Sequence, residues 1–212
     1  MDIYWLGHSC FRIRGKEVVL VTDPYSESFG YSWPGPAADI VTISHGHEGH
    51  NNALRVEGSP RVISRPGEYE VRRVFVVGLS TFHDAEQGNV RGRNTCYVIE
   101  MDDIRLCHLG DLGHVPSSRH VQEMSGVDVL MAPVGGVSTL DAKAMAETVR
   151  LVNPRVVVPM HYQTEVVTWL DALTRFTTEM GLGEVIPQPK LSFTRSGLPS
   201  DGTRVIVLER SE

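Results

Sequence analysis

Ser44-His45-Gly46-His47-Glu48-Gly49-His50-Asn51-Asn52 follows directly on Asp39-Ile40-Val41-Thr42-Ile43, which places three histidines within six residues just past a β-branched run. A short apolar run that gives way to polar, glycine-broken sequence reads as a strand ending in a loop, so the imidazoles gather at the strand's carboxyl edge. His45 and His47 alternate and can point the same way. His50 lies beyond the bend and can approach from another side, so one segment can feed two neighbouring ions. A histidine-rich tract by itself also binds metal adventitiously, and its weight here comes from the rest of the chain.

Four further potential ligands stand where other strand-like runs end: His83 in Ser80-Thr81-Phe82-His83-Asp84, Asp111 in His108-Leu109-Gly110-Asp111, His161 in Val158-Pro159-Met160-His161, and Asp23 in Thr22-Asp23-Pro24. Imidazole and carboxylate together suit Zn²⁺ or Mn²⁺, and a carboxylate between two ions holds them close; Asp111 is the candidate bridge.

Strands are predicted over 3–6, 10–14, 17–22, 40–43, 61–63, 74–77, 95–100, 104–108, 129–132, 155–159 and 204–208. Helices are predicted over 141–151, with Asp141 as N-cap, over 165–180, closed by Gly181, and more weakly over 117–124. Ser9-Cys10-Phe11-Arg12-Ile13 is echoed by Thr95-Cys96-Tyr97-Val98-Ile99, and each is followed by a turn, a second apolar strand and an aspartate, Asp23 or Asp111. Two hairpins of one design imply two similar sheets. The economical architecture is α/β, an αββα sandwich of two mixed sheets with helices on the outer faces, formed by one domain spanning 1–212.

Hydrophobic residues make up 41% and charged residues 22% of the 212-residue chain, ordinary values for a globular protein, and its longest apolar stretches are too short to cross a bilayer. The start, Met1-Asp2-Ile3-Tyr4-Trp5-Leu6, lacks a basic region followed by a long apolar core, so a cytoplasmic location is expected. Cys10, Cys96 and Cys107 lie in strand-like runs, which suits buried thiols in a reducing compartment. The net charge of −6 and the lack of a basic, aromatic-rich segment argue against a nucleic-acid partner. A small-molecule substrate, anionic where a metal-lined cleft attracts it, is the expected partner; assembly into a homo-oligomer stays open.

The run His-x-His-x-x-His, the later isolated histidine, the Gly-Asp after a hairpin and the strand-terminal histidine resemble, in that order, the metallo-β-lactamase superfamily. Trp5-Leu6-Gly7-His8-Ser9-Cys10-Phe11, Arg65-Pro66-Gly67-Glu68-Tyr69-Glu70, Arg91-Gly92-Arg93-Asn94-Thr95, His108-Leu109-Gly110-Asp111-Leu112-Gly113-His114 and Pro133-Val134-Gly135-Gly136 resemble its small stand-alone bacterial hydrolases related to ascorbate-phosphate lactonase. The resemblance spans residues 3 to 165 or so and implies the αββα fold independently of the echo. It also implies His45, His47 and His83 as ligands of one metal, His50 and His161 as ligands of a second, and Asp111 between them.

One position departs from the pattern. The family's motif ends in Asp-His, with the aspartate on the second metal, whereas Gly49 stands here. Glu48 is adjacent, but a shift of one residue turns a side chain elsewhere. The second site is therefore expected to be weakened, leaving one or two ions per chain, Zn²⁺ or alternatively Mn²⁺ or Fe²⁺. Residue 49 is expected to face the second metal, with a positive φ as one reason for glycine, and Gly49→Asp is expected to raise occupancy there.

His8 and Asp23 are expected near the metals as supporting groups, Asp23 by holding a ligating imidazole. Glu68, Asn94 and His114 are candidates to line the pocket, Glu68 against the commoner outcome of a surface residue after a Pro-Gly turn. His108 sits inside a strand pattern and is expected in the core. The function that follows is a metal-dependent hydrolase in which a metal-bound hydroxide attacks an ester-like, lactone or phosphodiester centre, Asp111 accepting or orienting the proton. The alternatives are a degenerate or mononuclear metal-binding member with little hydrolysis, and a mononuclear iron oxygenase.

Overall fold

A computed structural model describes residues 1–211 and arranges them as two sheets. The first contains β1 (Asp2–Gly7), β2 (Cys10–Arg14), β3 (Val19–Thr22), β4 (Ile40–Thr42), β5 (Arg61–Ile63) and β12 (Leu191–Ser192), in the order β12-β1-β2-β3-β4-β5. The second contains β6 (Gly67–Val71), β7 (Val74–Phe82), β8 (Arg93–Met101), β9 (Ile104–His108), β10 (Val129–Pro133), β11 (Val156–Met160) and β13 (Arg204–Val205), in the order β13-β11-β10-β9-β8-β7-β6. Three helices complete the fold: α1 (Ser118–Glu123), α2 (Ala142–Val152) and α3 (Leu173–Glu179).

Side-chain alternation puts each face of the first sheet to use. Ile3, Trp5, Phe11, Ile13, Leu20, Ile40 and Ile63 join the large core shared with the second sheet. Leu6, Cys10, Val21 and Val41 face the other way, into a smaller cluster closed by Tyr25, Tyr31, Val56, Val167 and Leu170. The layer over that outer face consists of short 3₁₀ turns and loops, while α2 buries Met145, Ala146, Val149 and Val152 against the second sheet. Asp141 caps α2 as expected, accepting from the Ala144 N–H at 2.8 Å.

The echoed hairpins are β2–β3 and β8–β9, one in each sheet, with Phe11 opposite Thr22 and Tyr97 opposite His108. Antiparallel pairing of β1 with β2 and of β2 with β3 makes β1 run with β3, and β4 is parallel to β3. The same reasoning aligns β7 with β9, to which β10 is parallel, and β11 is parallel to β10. The carboxyl ends of β1, β3 and β4 thus share one edge of the first sheet, and those of β7, β9 and β11 one edge of the second.

The elements differ from expectation in several places. The predicted 165–180 helix is confined to α3, because the Gln163 N–H donates to the Asp171 carbonyl, the Thr164 N–H to the Val167 carbonyl and the Asp171 N–H to the Gly135 carbonyl. Burial of Val167 and Leu170 against the first sheet outweighs helix propensity there. The β7 strand continues past Gly78, where its pairing with β6 ends, because pairing with β8 carries its ladder on to Phe82. Neither β6 nor β12 was expected; both are edge strands that borrow their order from a neighbour. Among the described residues, no helix is long and apolar enough to cross a membrane.

Candidate metal centre

Six strand ends deliver the site. His8 follows β1, Asp23 follows β3, residues 44–50 follow β4, His83 follows β7, Asp111 lies just past β9 and His161 follows β11. His8, Asp23 and His161 adopt left-handed backbone at φ 50°, 38° and 52°. Such residues cost about 1–2 kcal/mol each and persist where neighbours over-determine them. Here the His8 carbonyl accepts from the Trp5 indole at 2.9 Å and from the His161 N–H at 3.1 Å, while the Asp23 N–H donates to Thr42 at 2.8 Å.

Between the sheets, the Thr95 N–H donates to the Ser44 carbonyl at 2.9 Å and the Tyr97 hydroxyl to the Ile43 carbonyl at 2.8 Å. A side chain at Gly110 would collide with Asn94 and Ser44, so this glycine lets the Asp111 turn pass directly over the β4 loop.

Two sets of three imidazoles result. The nitrogens of His45, His47 and His83 lie within 4.8 Å of one another, and so do those of His8, His50 and His161. Asp111 stands between the sets, its Oδ2 3.2 Å from His83 Nε2, 3.3 Å from His50 Nε2 and 3.1 Å from His161 Nε2, with His45 Nε2 at 3.8 Å. Two donors about 2.0–2.1 Å from one tetrahedral ion lie about 3.3 Å apart, so these spacings suit edges of a coordination shell. All the residues except His47, which is exposed on the rim, are buried or nearly so.

Asp23 fixes imidazole orientation in both sets. Its Oδ2 accepts from His50 Nδ1 at 2.9 Å and from the Ser44 hydroxyl at 2.5 Å, and its Oδ1 accepts from the Ser44 N–H at 2.8 Å. With its proton given to Asp23, the Ser44 oxygen accepts from His45 Nδ1 at 2.9 Å. Both rings then engage Nδ1 and turn Nε2 inward, the nitrogen through which each would bind an ion. His45 Nε2 and Asp111 Oδ1 are buried without a hydrogen-bond partner.

Burial alone would raise both carboxyls, but His161 and His50 hold Asp111 well below the usual carboxylate range, and His108 and His50 hold Asp23 down. Burial would likewise lower His50, yet the Asp111 and Asp23 carboxylates push it up to about 10. Burial and neighbouring His50 bring His45 down to about 3, and burial with His161 and His50 holds His8 well below the ordinary histidine value. Two ionised, buried carboxylates thus stand against the single charge of the His50 imidazolium they favour, and buried charge of this kind calls for a further compensating cation. The donor set, the orphaned atoms and the charge all fit one or two divalent ions.

The remaining candidates are placed as follows. Asn94 is buried beneath Asp111 rather than lining the cleft: its Oδ1 accepts from the Asp111 N–H at 2.9 Å and its amide donates to the Leu109 carbonyl at 2.9 Å. Glu68 is exposed on the edge strand β6 and takes no part in the cluster. His114 accepts from the Phe82 N–H at 3.3 Å and stacks near Phe82 and His120, outside both imidazole sets. Glu48 is exposed and accepts from the Ser28 hydroxyl at 3.0 Å, so it points away from the ions' place. His108 is fully buried, bonded to the Ser9 carbonyl at 2.9 Å.

Gly49 does face the second set, but its φ is not positive. A Cβ there would lie 2.9 Å from the Phe29 ring and 3.1 Å from His8 Cδ2, so space and not backbone conformation calls for glycine, and the expected room for a carboxylate is filled. Sequence reading also missed Ser44 and Asp84. Asp84 accepts the N–H groups of Glu86, Gly88, Val90 and Arg91 at 2.7–3.1 Å and thereby shapes the loop after His83. An aspartate leading into a glycine- and asparagine-rich run was the available signal.

Comparison with known proteins identifies relatives over most of the chain. A UPF0173 metal-dependent hydrolase from Thermococcus onnurineus is 30% identical over 192 residues, covering 77% of this chain and 85% of its own length. Another from Thermoplasma acidophilum is 28% identical over 191 residues, covering 77% and 84%. A crystal structure from Thermotoga maritima, described as a candidate Zn-dependent hydrolase of the metallo-beta-lactamase superfamily, superposes with a TM-score of 0.81 at 35% identity, covering 98% of this chain and 99% of its own. The model of the beta-lactamase superfamily domain matches residues 2–161, and with these relatives it establishes that the chain belongs to the metallo-β-lactamase superfamily.

Proposed function

We propose that this protein is a hydrolase acting on a small ester-like, lactone or phosphodiester substrate with one or two divalent ions, Zn²⁺ or Mn²⁺, held at the six-histidine cluster. The observation that carries the reading is the pair of three-imidazole sets around Asp111, with the tautomers of His45 and His50 set by one buried aspartate. A divalent ion bound there lowers the pKa of a water to near neutrality and polarises the electrophilic oxygen of the substrate.

His45, His47 and His83 would hold one ion and His50 and His161 the other, with Asp111 Oδ2 within 3.1–3.3 Å of His83, His50 and His161. Asp111 Oδ1, buried and without a partner, is placed to take or orient the attacking water's proton. Asp23 keeps His50 and His45 in the ligating tautomer throughout turnover. Phe29, 4.4 Å from the His8 ring and 5.7 Å from Trp169 between ring centroids, forms an aromatic wall for the apolar part of a substrate. Burial and the neighbouring His83 and His50 lower His47, with a smaller push from Arg91, whose charge favours an anionic group at the rim. Three buried, unpaired cysteines suit a reducing, cytoplasmic setting.

The test is a panel of phosphodiester, lactone and β-lactam reporters on chelator-stripped protein, before and after addition of Zn²⁺ or Mn²⁺. Turnover restored by metal supports the reading, and metal-independent turnover contradicts it. Gly49 favours a second reading, a protein that holds one ion and hydrolyses little; one equivalent at saturation with no turnover on any reporter selects it.

A further inference from the structure

His8 is the one imidazole of the cluster that the sequence placed only in support, and its position says more. It sits directly after a strand whose register shifts between Trp5 and Gly7, in left-handed backbone, with its carbonyl held by two donors. This bend aims the ring into the second set and away from the core. His8 Nε2 lies 3.2 Å from His50 Nε2, both rings are buried, and the His8 and His161 ring centroids are 4.2 Å apart. Because Asp23 takes up Nδ1 of His50, it is Nε2 of His50 that faces His8 and Asp111.

Two imidazole nitrogens at this spacing either share a proton or share a cation. The surroundings favour the cation. Asp111 Oδ2 stands 3.3 Å from His50 Nε2 and 3.1 Å from His161 Nε2, so the same small volume is bounded by three nitrogens and a carboxylate oxygen. Edges of 3.1–3.3 Å suit donors about 2.0–2.1 Å from one tetrahedral ion. Gly49 completes the case: a Cβ at residue 49 would come within 3.1 Å of His8 Cδ2, so its missing side chain is what leaves the His8 ring its place. Phe29 packs against the His8 ring, their centroids 4.4 Å apart.

We infer that His8 is a direct ligand of the second ion, completing a site of His8, His50, His161 and Asp111 that matches the His45, His47, His83 and Asp111 site across the shared carboxylate. This rests on the metal-dependent reading above and assigns to His8 a bond where the sequence suggested a supporting contact. The two sites then have equal numbers of nitrogen ligands, and the second ion does not depend on residue 49.

The experiment is a zinc titration of the full chain by calorimetry with a competing chelator, comparing wild type, His8→Asn and His47→Ala. Asparagine tolerates left-handed backbone and is too short to bridge to the ion, so it preserves the bend. Wild type is expected to take two equivalents. His8→Asn should weaken one of them at least ~100-fold, at or above the upper range for removal of a supporting group, and leave the equivalent that His47→Ala weakens. As a fold-independent measurement, the imidazole ¹⁵N resonances of wild type are followed during the titration, and the His8 Nε2 signal should move to that of a metal-bound nitrogen with the second equivalent. Two unchanged affinities in His8→Asn, or an unmoved His8 Nε2 signal while both equivalents bind, overturns the inference and spares the metal reading. Wild type that takes up no zinc overturns the metal reading itself.

Discussion

Asp23→Asn is the substitution whose consequences can be worked furthest from the structure. The change is isosteric, so it opens no cavity, and Oδ1 can still accept from the Ser44 N–H at 2.8 Å. What changes is the second atom, which now donates where it accepted from His50 Nδ1 and the Ser44 hydroxyl. His50 relieves the clash by moving its proton to Nε2, the nitrogen that faces Asp111. Ser44, accepting a hydrogen bond from the new amide, turns its own hydroxyl toward His45 Nδ1 and drives the His45 proton to Nε2 as well.

One buried substitution thus blocks a ligand in each set. Groups that orient metal-bound histidines carry about 10- to 100-fold in affinity, or about 1.4–2.7 kcal/mol at each ion. Ser44→Ala cuts only the branch to His45, so its loss should fall on the His45, His47, His83 site and leave the other ion unaffected. Competition calorimetry with Zn²⁺ reads both affinities separately. Equal weakening of both ions by Ser44→Ala, or of neither by Asp23→Asn, would refute the relay.

Three further outcomes are expected. Asp111→Asn should weaken both ions because Oδ2 contacts both sets, whereas His161→Ala should weaken one; identical zinc stoichiometry and turnover in the two variants would contradict that division. Gly49→Asp should not strengthen the second site but lower the melting temperature, since crowding Phe29 and His8 is of the overpacking kind that costs about 1–3 kcal/mol; adding Phe29→Ala should return stability and second-site zinc affinity toward wild type, and a rise in affinity from Gly49→Asp alone would show the space to be free. For Asp84, burial opposes ionisation but four backbone N–H groups bring its carboxyl down to about 2, so it stabilises the fold above pH 4 or so and stops doing so as the pH falls through about 2. The melting-temperature gap between wild type and Asp84→Asn should accordingly be largest at neutral pH and close in acid, and a gap independent of pH would contradict the loop's charge-based anchoring.

The strand-end candidates were legible because a β-branched run that stops at a polar residue announces both a strand and its exit, as at Ile43-Ser44, Met160-His161 and His108 with Asp111 beyond it. The echo of Cys10-Phe11 in Cys96-Tyr97 likewise disclosed two hairpins, and the structure places one in each sheet. What stayed hidden depended on partners distant in the chain. His8 enters the cluster only through a bulge and a left-handed residue that local pattern does not show. Ser44 matters through an aspartate 21 positions away. The 165–180 run has helical character, and only its docking on Gly135 and on the outer face of the first sheet reveals that half of it is a loop. Gly49 was read as an open coordination position with a positive φ, whereas its φ is not positive and a Cβ there would meet the Phe29 ring and His8.

The central claim, that this cluster exists to hold divalent ions around Asp111, is tested most directly by an anomalous difference map at the zinc edge from crystals grown with Zn²⁺. Two peaks are expected about 3.5–4 Å apart, one among His45, His47 and His83 and the other among His8, His50 and His161, both in contact with the Asp111 carboxylate. A map with no peak at the cluster, in protein saturated with zinc, would contradict it.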